Sequence, residues 1–140
     1  TAEEMGSEAS AYASSARTGE SIMRANALHD NDDSPSPPLT FGPYVLSPSQ
    51  QFYISPSGLS VGFVNLKPLV PGHVLVIPRR NVPKLVDLTE EELVDLWSSV
   101  MEVRSIVLRF HGCAGAEIGV QDGADAGQSV PHVHVHILPR

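Results

Sequence analysis

Three histidines near the end of the chain, His132, His134 and His136, alternate with apolar residues. Successive side chains of a β-strand point to opposite faces of the sheet. A strand over residues 133–138 would therefore place the three imidazoles in a row on one face, with the intervening apolar residues turned into the core. Packing alone rarely produces a row of imidazoles on a rigid element, so this segment is a candidate chemical site.

Three interpretations of the histidine row compete. Imidazole is the commonest metal ligand, but no Cys/His pair or clear fourth carboxylate stands at ligand-like spacing. Alternatively, the middle imidazole, His134, attacks phosphorus and forms a covalent intermediate, while its neighbours fix the tautomer or donate hydrogen bonds to phosphate oxygens. The third interpretation is a polar edge strand that carries histidines without a chemical role.

The loop that precedes the histidines, residues 121–131, favours phosphate chemistry over a zinc site. Gly123 and Gly127 would let backbone N–H groups approach a ligand closely and cradle a phosphate. Gln121, Gln128 and Ser129 add neutral hydrogen-bond donors. A phosphoryl site needs donors aimed at developing oxygen charge, whereas a zinc site does not need this loop.

The elements that position these residues can be predicted from hydrophobic periodicity and turn signals. A hairpin is expected around Pro56-Ser57-Gly58. One long helix is expected behind the capping-box spacing of Thr89 and Glu92, ending at Gly112. Strands are expected over residues 51–55, 60–66, 73–77, 117–121 and 133–138. Strands, one long helix and further strands together indicate an α+β protein with a mostly antiparallel sheet.

The N-terminal segment divides into a helix and a linker. Residues 1–16 carry an apolar stripe at helical spacing, formed by Met5, Ala9, Tyr12, Ala13 and Ala16. An isolated helix of this length is marginal in water, so we expect it to pack on the 41–140 body. Residues 17–40 are charged, small and broken by prolines, which predicts a flexible linker.

Composition limits the classes of function that the chain can serve. Its 140 residues suit one modest domain, and its net charge of -7 is concentrated in residues 1–40, which hold seven acids against two bases. No Lys/Arg cluster is present, which argues against nucleic acid as a partner. The lone Cys113 cannot form an internal disulfide, and no apolar run reaches membrane-spanning length. We expect a soluble protein of the cytoplasm, with the nucleus or an organelle as alternatives. Its start at Thr1 predicts a processed chain or a fragment.

The sequence of residues 121–140, QDGADAGQSVPHVHVHILPR, resembles the histidine-triad (HIT) signature in its Fhit-like branch. Residues 63–76 and 41–44 are similar to the same branch, so the resemblance covers essentially all of 41–140. It implies a HIT domain over 41–140. It also implies a five-stranded, mostly antiparallel sheet with one long helix and shorter helices, commonly paired into a homodimer.

The resemblance implies a role for each matching residue. His134 would be the nucleophile that takes AMP, His132 and His136 would support it and contact phosphate, Gln121 would bond near the bridging or α-phosphate oxygens, and His73 would buttress the triad. The remaining assignments concern substrate binding: a phosphate loop of Gly127, Gln128, Ser129 and Val130, a ribose contact at Asn65, and a base environment that includes Phe41 and Leu66.

The implied activity is that of a bis(5'-adenosyl)-triphosphatase, which cleaves diadenosine triphosphate to AMP and ADP. No cofactor is expected on the protein, and Mg²⁺ or Mn²⁺ would arrive with the substrate. Two alternatives stay open. One is a related hydrolase or transferase that acts on adenosine phosphosulfate or phosphoramidates. The other is a nucleotide-binding structural or signalling module with little turnover.

The termini depart from the Fhit-like pattern. Proteins of that branch usually continue beyond the Leu-Pro-Arg that closes the match into a C-terminal helix, whereas this chain stops at Arg140. Residues 2–12 are similar to that missing helix. Circular permutation or rearrangement is the favoured explanation, with a tandem array or chance likeness as the others.

Overall fold

The computed structural model describes Ala2–Ser15 and residues 38–140. Residues 17–37 of the expected linker lie outside the described residues, and Thr40, at the end of that expected linker, belongs to a strand. Within the described residues the order of helices and strands is α1 (Ala2–Ser15), β1 (Thr40–Phe41), β2 (Tyr44–Val45), β3 (Gln51–Ile54), β4 (Ser60–Val64), β5 (Val74–Pro78), α2 (Glu90–His111), β6 (Ala116–Val120) and β7 (Val135–Pro139).

Five strands form one antiparallel sheet in the order β3-β4-β5-β7-β6, which confirms the predicted α+β fold with one long helix. The last strand begins later than predicted, at Val135 instead of residue 133. The reason is that Val133 donates its N–H to Val82 O at 2.8 Å instead of to a neighbouring strand. His132 and His134 therefore lie in the irregular segment that leads into β7. The small β1–β2 sheet was not predicted, because two-residue strands have no detectable periodicity.

The two faces of the large sheet have different coverings. The helix face is packed against α2 and α1, and its buried sheet residues include Val64, Val74, Val76, Val135 and Ile137. The opposite face, here called the histidine face, carries the cluster of Val61, Phe63, Leu75 and Ile77, covered by Leu39, Phe41 and Leu46 from around the β1–β2 hairpin. The predicted alternation holds, because Val133, Val135 and Ile137 all belong to the helix-face core.

Helix α2 begins and ends as its sequence predicts. The Thr89 side chain accepts from the Glu92 N–H, and the Glu92 carboxylate accepts from the Thr89 N–H at 2.9 Å. Arg80 donates to the same carboxylate and fixes it. Gly112 ends the helix with φ 64°, a left-handed conformation that suits glycine. These contacts fix both ends of the helix, and its buried side chains pack on the sheet that positions the histidines.

Helix α1 packs on the body of the protein. Ala9 and Tyr12 are buried, and the Tyr12 ring meets Phe52 and Phe110 edge-on at centroid distances of 5.0 and 5.2 Å. The Tyr12 hydroxyl donates to Glu8 and lies 2.6 Å from Nε2 of His111. That this helix takes the place of the C-terminal helix of Fhit-like proteins stays a prediction, as does a permuted or rearranged chain.

Candidate functional site

A row of paired residues crosses the sheet on the histidine face. Register pairs join Gln51 to Phe63, Phe63 to Leu75, and Leu75 to His136. Directly paired residues of neighbouring strands point to the same face, and Phe63, Leu75 and His136 of this row form the floor of a cavity of about 420 Å³. Its lining comprises Phe41, Tyr44, Val45, Leu46, Gln50, Phe63, Asn65, Leu66, Lys67, Leu75, Ser129, Val130, His134 and His136.

His134 presents an unprotonated nitrogen to this cavity. Its Nδ1 lies 2.8 Å from the carbonyl oxygen of His132, and a carbonyl can only accept, so Nδ1 carries the hydrogen. In the neutral ring, Nε2 then holds the lone pair. The side chain is only 5% exposed yet lines the cavity. His134 therefore has the tautomer and position of a nucleophile.

His136 presents the opposite chemistry. The Leu69 N–H donates to Nδ1 of His73 at 3.1 Å, so His73 carries its hydrogen on Nε2. That Nε2–H donates to Nδ1 of His136 at 3.0 Å. His136 must then carry its own hydrogen on Nε2, an atom that is buried without a hydrogen-bond partner. The chain through His73 thus aims a donor beside the lone pair of His134.

Burial keeps this donor neutral. It lowers the pKa of His136 from 6.5 to about 4, with smaller contributions in the same direction from charge on His134 and His73. Burial also lowers the pKa of His73. Both rings are therefore neutral at pH 7, which preserves the tautomers that the hydrogen bonds select.

His132 holds the site together from beneath and has no free ring nitrogen. Its Nδ1 accepts from the Gly42 N–H at 3.0 Å, and its Nε2 donates to Pro78 O at 2.7 Å. The side chain is fully buried, and this burial is the main cause of its lowered pKa. Both ring nitrogens of His132 are bonded to the protein, which leaves neither free for a phosphate in this structure. That His132 supports His134 and contacts phosphate stays a prediction.

The loop before the histidines divides into residues that shape it and residues that reach the cavity. The Gln128 side chain accepts from the Gly123 N–H and donates to Pro83 O and Val130 O, so its amide holds the loop. Gly127 has φ 91°, and a Cβ there would lie 2.7 Å from Nε2 of Gln121. Of the five expected loop residues, only Ser129 and Val130 line the cavity; Gln121, Gly127 and Gln128 do not.

Asn65 lies at a turn and at the edge of the cavity. Its Oδ1 accepts from the Lys67 N–H at 3.1 Å, as in a turn, and its Nδ2 lies 3.4 Å from Nδ1 of His73, the ring nitrogen that accepts. It also lines the cavity beside Leu66 and Lys67. His73 is hydrogen-bonded to His136 and does not line the cavity; that it buttresses the histidines stays a prediction.

Phe41 connects the two ends of the cavity. Its ring centroid lies 5.0 Å from that of His134 and 5.3 Å from that of Phe63. Phe63 and Leu75 were missed as site residues, although strand alternation could have placed them on the histidine face. Nothing in the sequence signalled the other missed lining residues: Tyr44, Val45, Leu46, Gln50 and Lys67.

Three further observations concern the rest of the described residues. A wider depression of about 770 Å³ lies near the start of α2, among Ser57, Thr89, Glu90 and Asp95, but its lining contains no histidine. Within Ala2–Ser15 and residues 38–140, no group of three His, Cys, Asp or Glu side chains is arranged to hold a metal ion. In the same residues, no helix is both long and apolar enough to cross a membrane. The smaller cavity is therefore the candidate site, because the free imidazole nitrogens open there.

Known proteins resemble the chain in both sequence and fold. The family model described as HIT domain matches residues 47–140. Identity is 46% over 123 residues with the bifunctional bis(5'-adenosyl)-triphosphatase/adenylylsulfatase FHIT of Arabidopsis thaliana, covering 88% of this chain and 67% of that protein. It is 58% over 92 residues with the asymmetrical bis(5'-nucleosyl)-tetraphosphatase of Schizosaccharomyces pombe, covering 66% of this chain and 50% of that protein.

A solved structure of Plasmodium falciparum diadenosine triphosphate hydrolase, in complex with Cyclomarin A, superposes with a TM-score of 0.72 at 33% identity. The superposition covers 84% of this chain and 78% of that one. The chain thus spans one half to about two thirds of the length of the two curated relatives and most of the solved structure.

Proposed function

Since the chain belongs to the HIT domain family, we propose that it hydrolyses dinucleoside polyphosphates, with diadenosine triphosphate as the favoured substrate. The observation that carries this proposal is that one cavity holds a hydrogen-bond acceptor and a donor side by side. The acceptor is the lone pair on Nε2 of His134, and the donor is the buried N–H at Nε2 of His136. The names of the relatives, which include triphosphatases and a tetraphosphatase of dinucleotides, support it.

In the first step, Nε2 of His134 attacks the α-phosphorus, and a P–N bond forms as the bond to the leaving ADP oxygen breaks. The product is an AMP phosphoramidate on His134. The ring becomes cationic, and the carbonyl of His132 stabilises it through the Nδ1–H bond. The Nε2–H of His136 donates to the departing oxygen. In the second step, water attacks phosphorus, the P–N bond breaks, AMP leaves and His134 is restored.

The surroundings of His134 suggest how the substrate lies. Ser129 and Val130 border the phosphate end, and Lys67 brings positive charge to the rim. We assign Asn65 to the ribose because it lines the cavity, and the apolar floor of Phe63 and Leu75 suits a base. We assign Gln121 and Gly127 to the loop that borders the phosphates, with Mg²⁺ or Mn²⁺ entering on the substrate.

We also propose that the chain acts inside the cell as a homodimer. The lone Cys113, which is a free thiol, supports the location, because disulfides persist mainly in oxidising compartments. Apolar side chains exposed on α2, Val94 and Met101 at 62% and 51%, suit a surface that a second copy covers. Light scattering of the purified chain tests the dimer, and a monomeric mass at assay concentration contradicts it.

The decisive experiment is turnover of diadenosine triphosphate by the wild type, His134→Asn and a matched control, His111→Asn. His111 lies against Tyr12 and away from the cavity. Removing the nucleophile should lower kcat by at least about 1,000-fold, while the control keeps its activity. Undiminished turnover by His134→Asn removes His134 from the nucleophile role.

A related substrate is the second candidate. The name of the Arabidopsis relative includes adenylylsulfatase, which favours adenosine phosphosulfate as an alternative substrate at the same site. The group that leaves would then be sulfate instead of ADP. Comparing kcat/KM for diadenosine triphosphate, adenosine phosphosulfate and an adenosine phosphoramidate ranks the three. Tight nucleotide binding without turnover of any of them would favour a binding or signalling module instead.

A further inference from the structure

Gln50 is a buried amide at the apolar end of the cavity. It ends the short turn Pro48–Gln50 that precedes β3, it is only 8% exposed, and it lines the cavity. Its neighbour Gln51 pairs with Phe63, which places this turn at the far end of the cross-sheet row from His136. Three strand spacings, about 14 Å, separate the two ends of that row.

The amide of Gln50 is held in one orientation and keeps one polar group free. Its Oε1 accepts from the Ser47 N–H at 3.1 Å, which closes a capping box around the turn. No hydrogen-bond partner is found for its Nε2 among the described residues. The neighbouring Gln51 is different, since its Nε2 donates to Leu46 O at 3.3 Å. Among the described residues, the fully buried side-chain nitrogens without a partner are Arg79 Nε and His136 Nε2. The Nε2 of Gln50 is therefore open to the cavity, where water or a ligand can accept a hydrogen bond from it.

The groups between Gln50 and the histidines are apolar. Leu46, Phe63 and Leu75 line this part of the cavity, and Phe41 lies between Phe63 and His134. Such a surface accepts a flat ring by apolar contact and offers it few polar partners. A base lying there, with its phosphate at His134, would bring its outer edge towards Gln50.

We propose that Gln50 reads the edge of the nucleobase, its Nε2 donating to an acceptor nitrogen of a purine ring. The proposal rests on the proposed function, because it takes the nucleotide phosphate to lie at His134. The bond between Oε1 and the Ser47 N–H prevents the amide from reversing, so the base must offer an acceptor at that point. Gln50 is thus a binding residue that adds specificity for the base, without taking part in the phosphoryl chemistry.

Two ligands that differ only in the base test this assignment: AMP and ribose 5-phosphate. Calorimetry on the full chain would measure both for the wild type, Gln50→Met and Gln50→Glu. The glutamate keeps an oxygen for the Ser47 N–H and loses the amino group, whereas the methionine loses both polar atoms. Ser47→Ala is the matched control, because it removes the other half of the capping box and leaves the Gln50 amide in place.

Both Gln50 variants should bind AMP about tenfold or more weakly than the wild type and bind ribose 5-phosphate unchanged, while Ser47→Ala changes neither. Equal losses for both ligands, or no loss for AMP, would overturn the proposal and leave Gln50 as a cap for the turn. An NMR measurement on the wild type does not depend on whether the variants fold. The side-chain NH₂ signals of Gln50 should shift with AMP and not with ribose 5-phosphate, and the reverse contradicts the proposal.

The outcome is separable from that of the proposed function. If the wild type hydrolyses no dinucleotide but AMP binding still depends on Gln50, the base contact stands and the hydrolase proposal fails. If diadenosine triphosphate is hydrolysed with the same KM in wild type and Gln50→Glu, the hydrolase proposal stands and the base contact fails.

Discussion

The two faces of the large sheet differ in the side chains that they bury. The helix face is a continuous apolar core under α2 and α1, in which Leu96, Val100 and Val107 are fully buried. The histidine face buries His73, His132 and His134 beside apolar neighbours, with each ring held by a hydrogen bond to another group. Strand β7 and the segment before it serve both faces, because alternate side chains point in opposite directions.

The two faces therefore have different roles: one mainly stabilises the fold, and the other holds the groups proposed for the reaction. Apolar packing on the helix face supplies free energy without any demand for hydrogen-bond partners. On the histidine face, each buried ring needs partners, and those partners select the tautomers that leave a lone pair on His134 and a donor on His136. Changes to the first face should act on folding, and changes to the second should act on the reaction.

The largest effect on stability is expected from Leu96→Ala on the helix face. Leu96 is fully buried in the core, so truncation leaves a cavity and should lower the free energy of unfolding by about 2–5 kcal/mol. Leu93→Ala on the same helix is the control, since Leu93 is 37% exposed and should cost less. Urea unfolding measures both variants. A large change in the KM of the folded Leu96→Ala protein would break the separation between the faces.

A substitution at His73 sharpens the comparison from the other side. His73→Leu removes the donor that fixes the His136 tautomer and should lower kcat by about 10- to 100-fold. It should also cost about 1–3 kcal/mol of stability, because the Leu69 N–H and Nδ1 of His136 lose their partner. His73→Gln can accept from Leu69 and donate to His136, so it should restore part of the rate. The two kcat values, measured with melting temperatures, test this. Equal activity in the leucine variant and the wild type would show that His136 needs no such support.

Acid should weaken the histidine face first. The folded pKa values of His73, His132 and His136 all lie below 6.5, that of His136 at about 4, so the unfolded chain binds more protons between these values. The free energy of unfolding should therefore fall as pH drops from about 6.5 towards 4, and these groups contribute no further loss below that range. Urea unfolding as a function of pH checks the slope, which should flatten in His136→Asn. An unchanged slope in that variant contradicts the assignment.

The smallest effect is expected at the start of α2. Glu92→Gln weakens the bonds to Arg80 and Thr89 and should lower the free energy of unfolding by about 1 kcal/mol at pH 7. Hydrogen bonds from Arg80 are the main reason why the pKa of Glu92 is lowered to about 2. Its stabilisation is therefore present above about pH 4.5 and lost as pH falls towards 2. Glu91→Gln, on an exposed neighbour, is the control and should show neither change.

The elements that could be predicted are those whose signals are local. Helix α2 has its capping box, apolar stripe and final glycine within one segment, and the strands have their alternation. The resemblance supplied the residues of the site, but it did not show what each would bond. His132 is an instance, since its two partners, Gly42 and Pro78, are remote in the sequence. Gln50 and Lys67 line the cavity because of tertiary packing, and sequence periodicity does not predict such contacts.

The central claim is that Nε2 of His134 becomes bonded to phosphorus. Rapid acid-free quenching of the wild type with diadenosine triphosphate, followed by mass spectrometry of its peptides, measures this directly. The account predicts an AMP adduct on the peptide that contains His134, formed within the first turnover and absent from His134→Asn. AMP and ADP released at full rate, with no adduct on His134 at any time within the first turnover, would contradict it and point to direct attack by water.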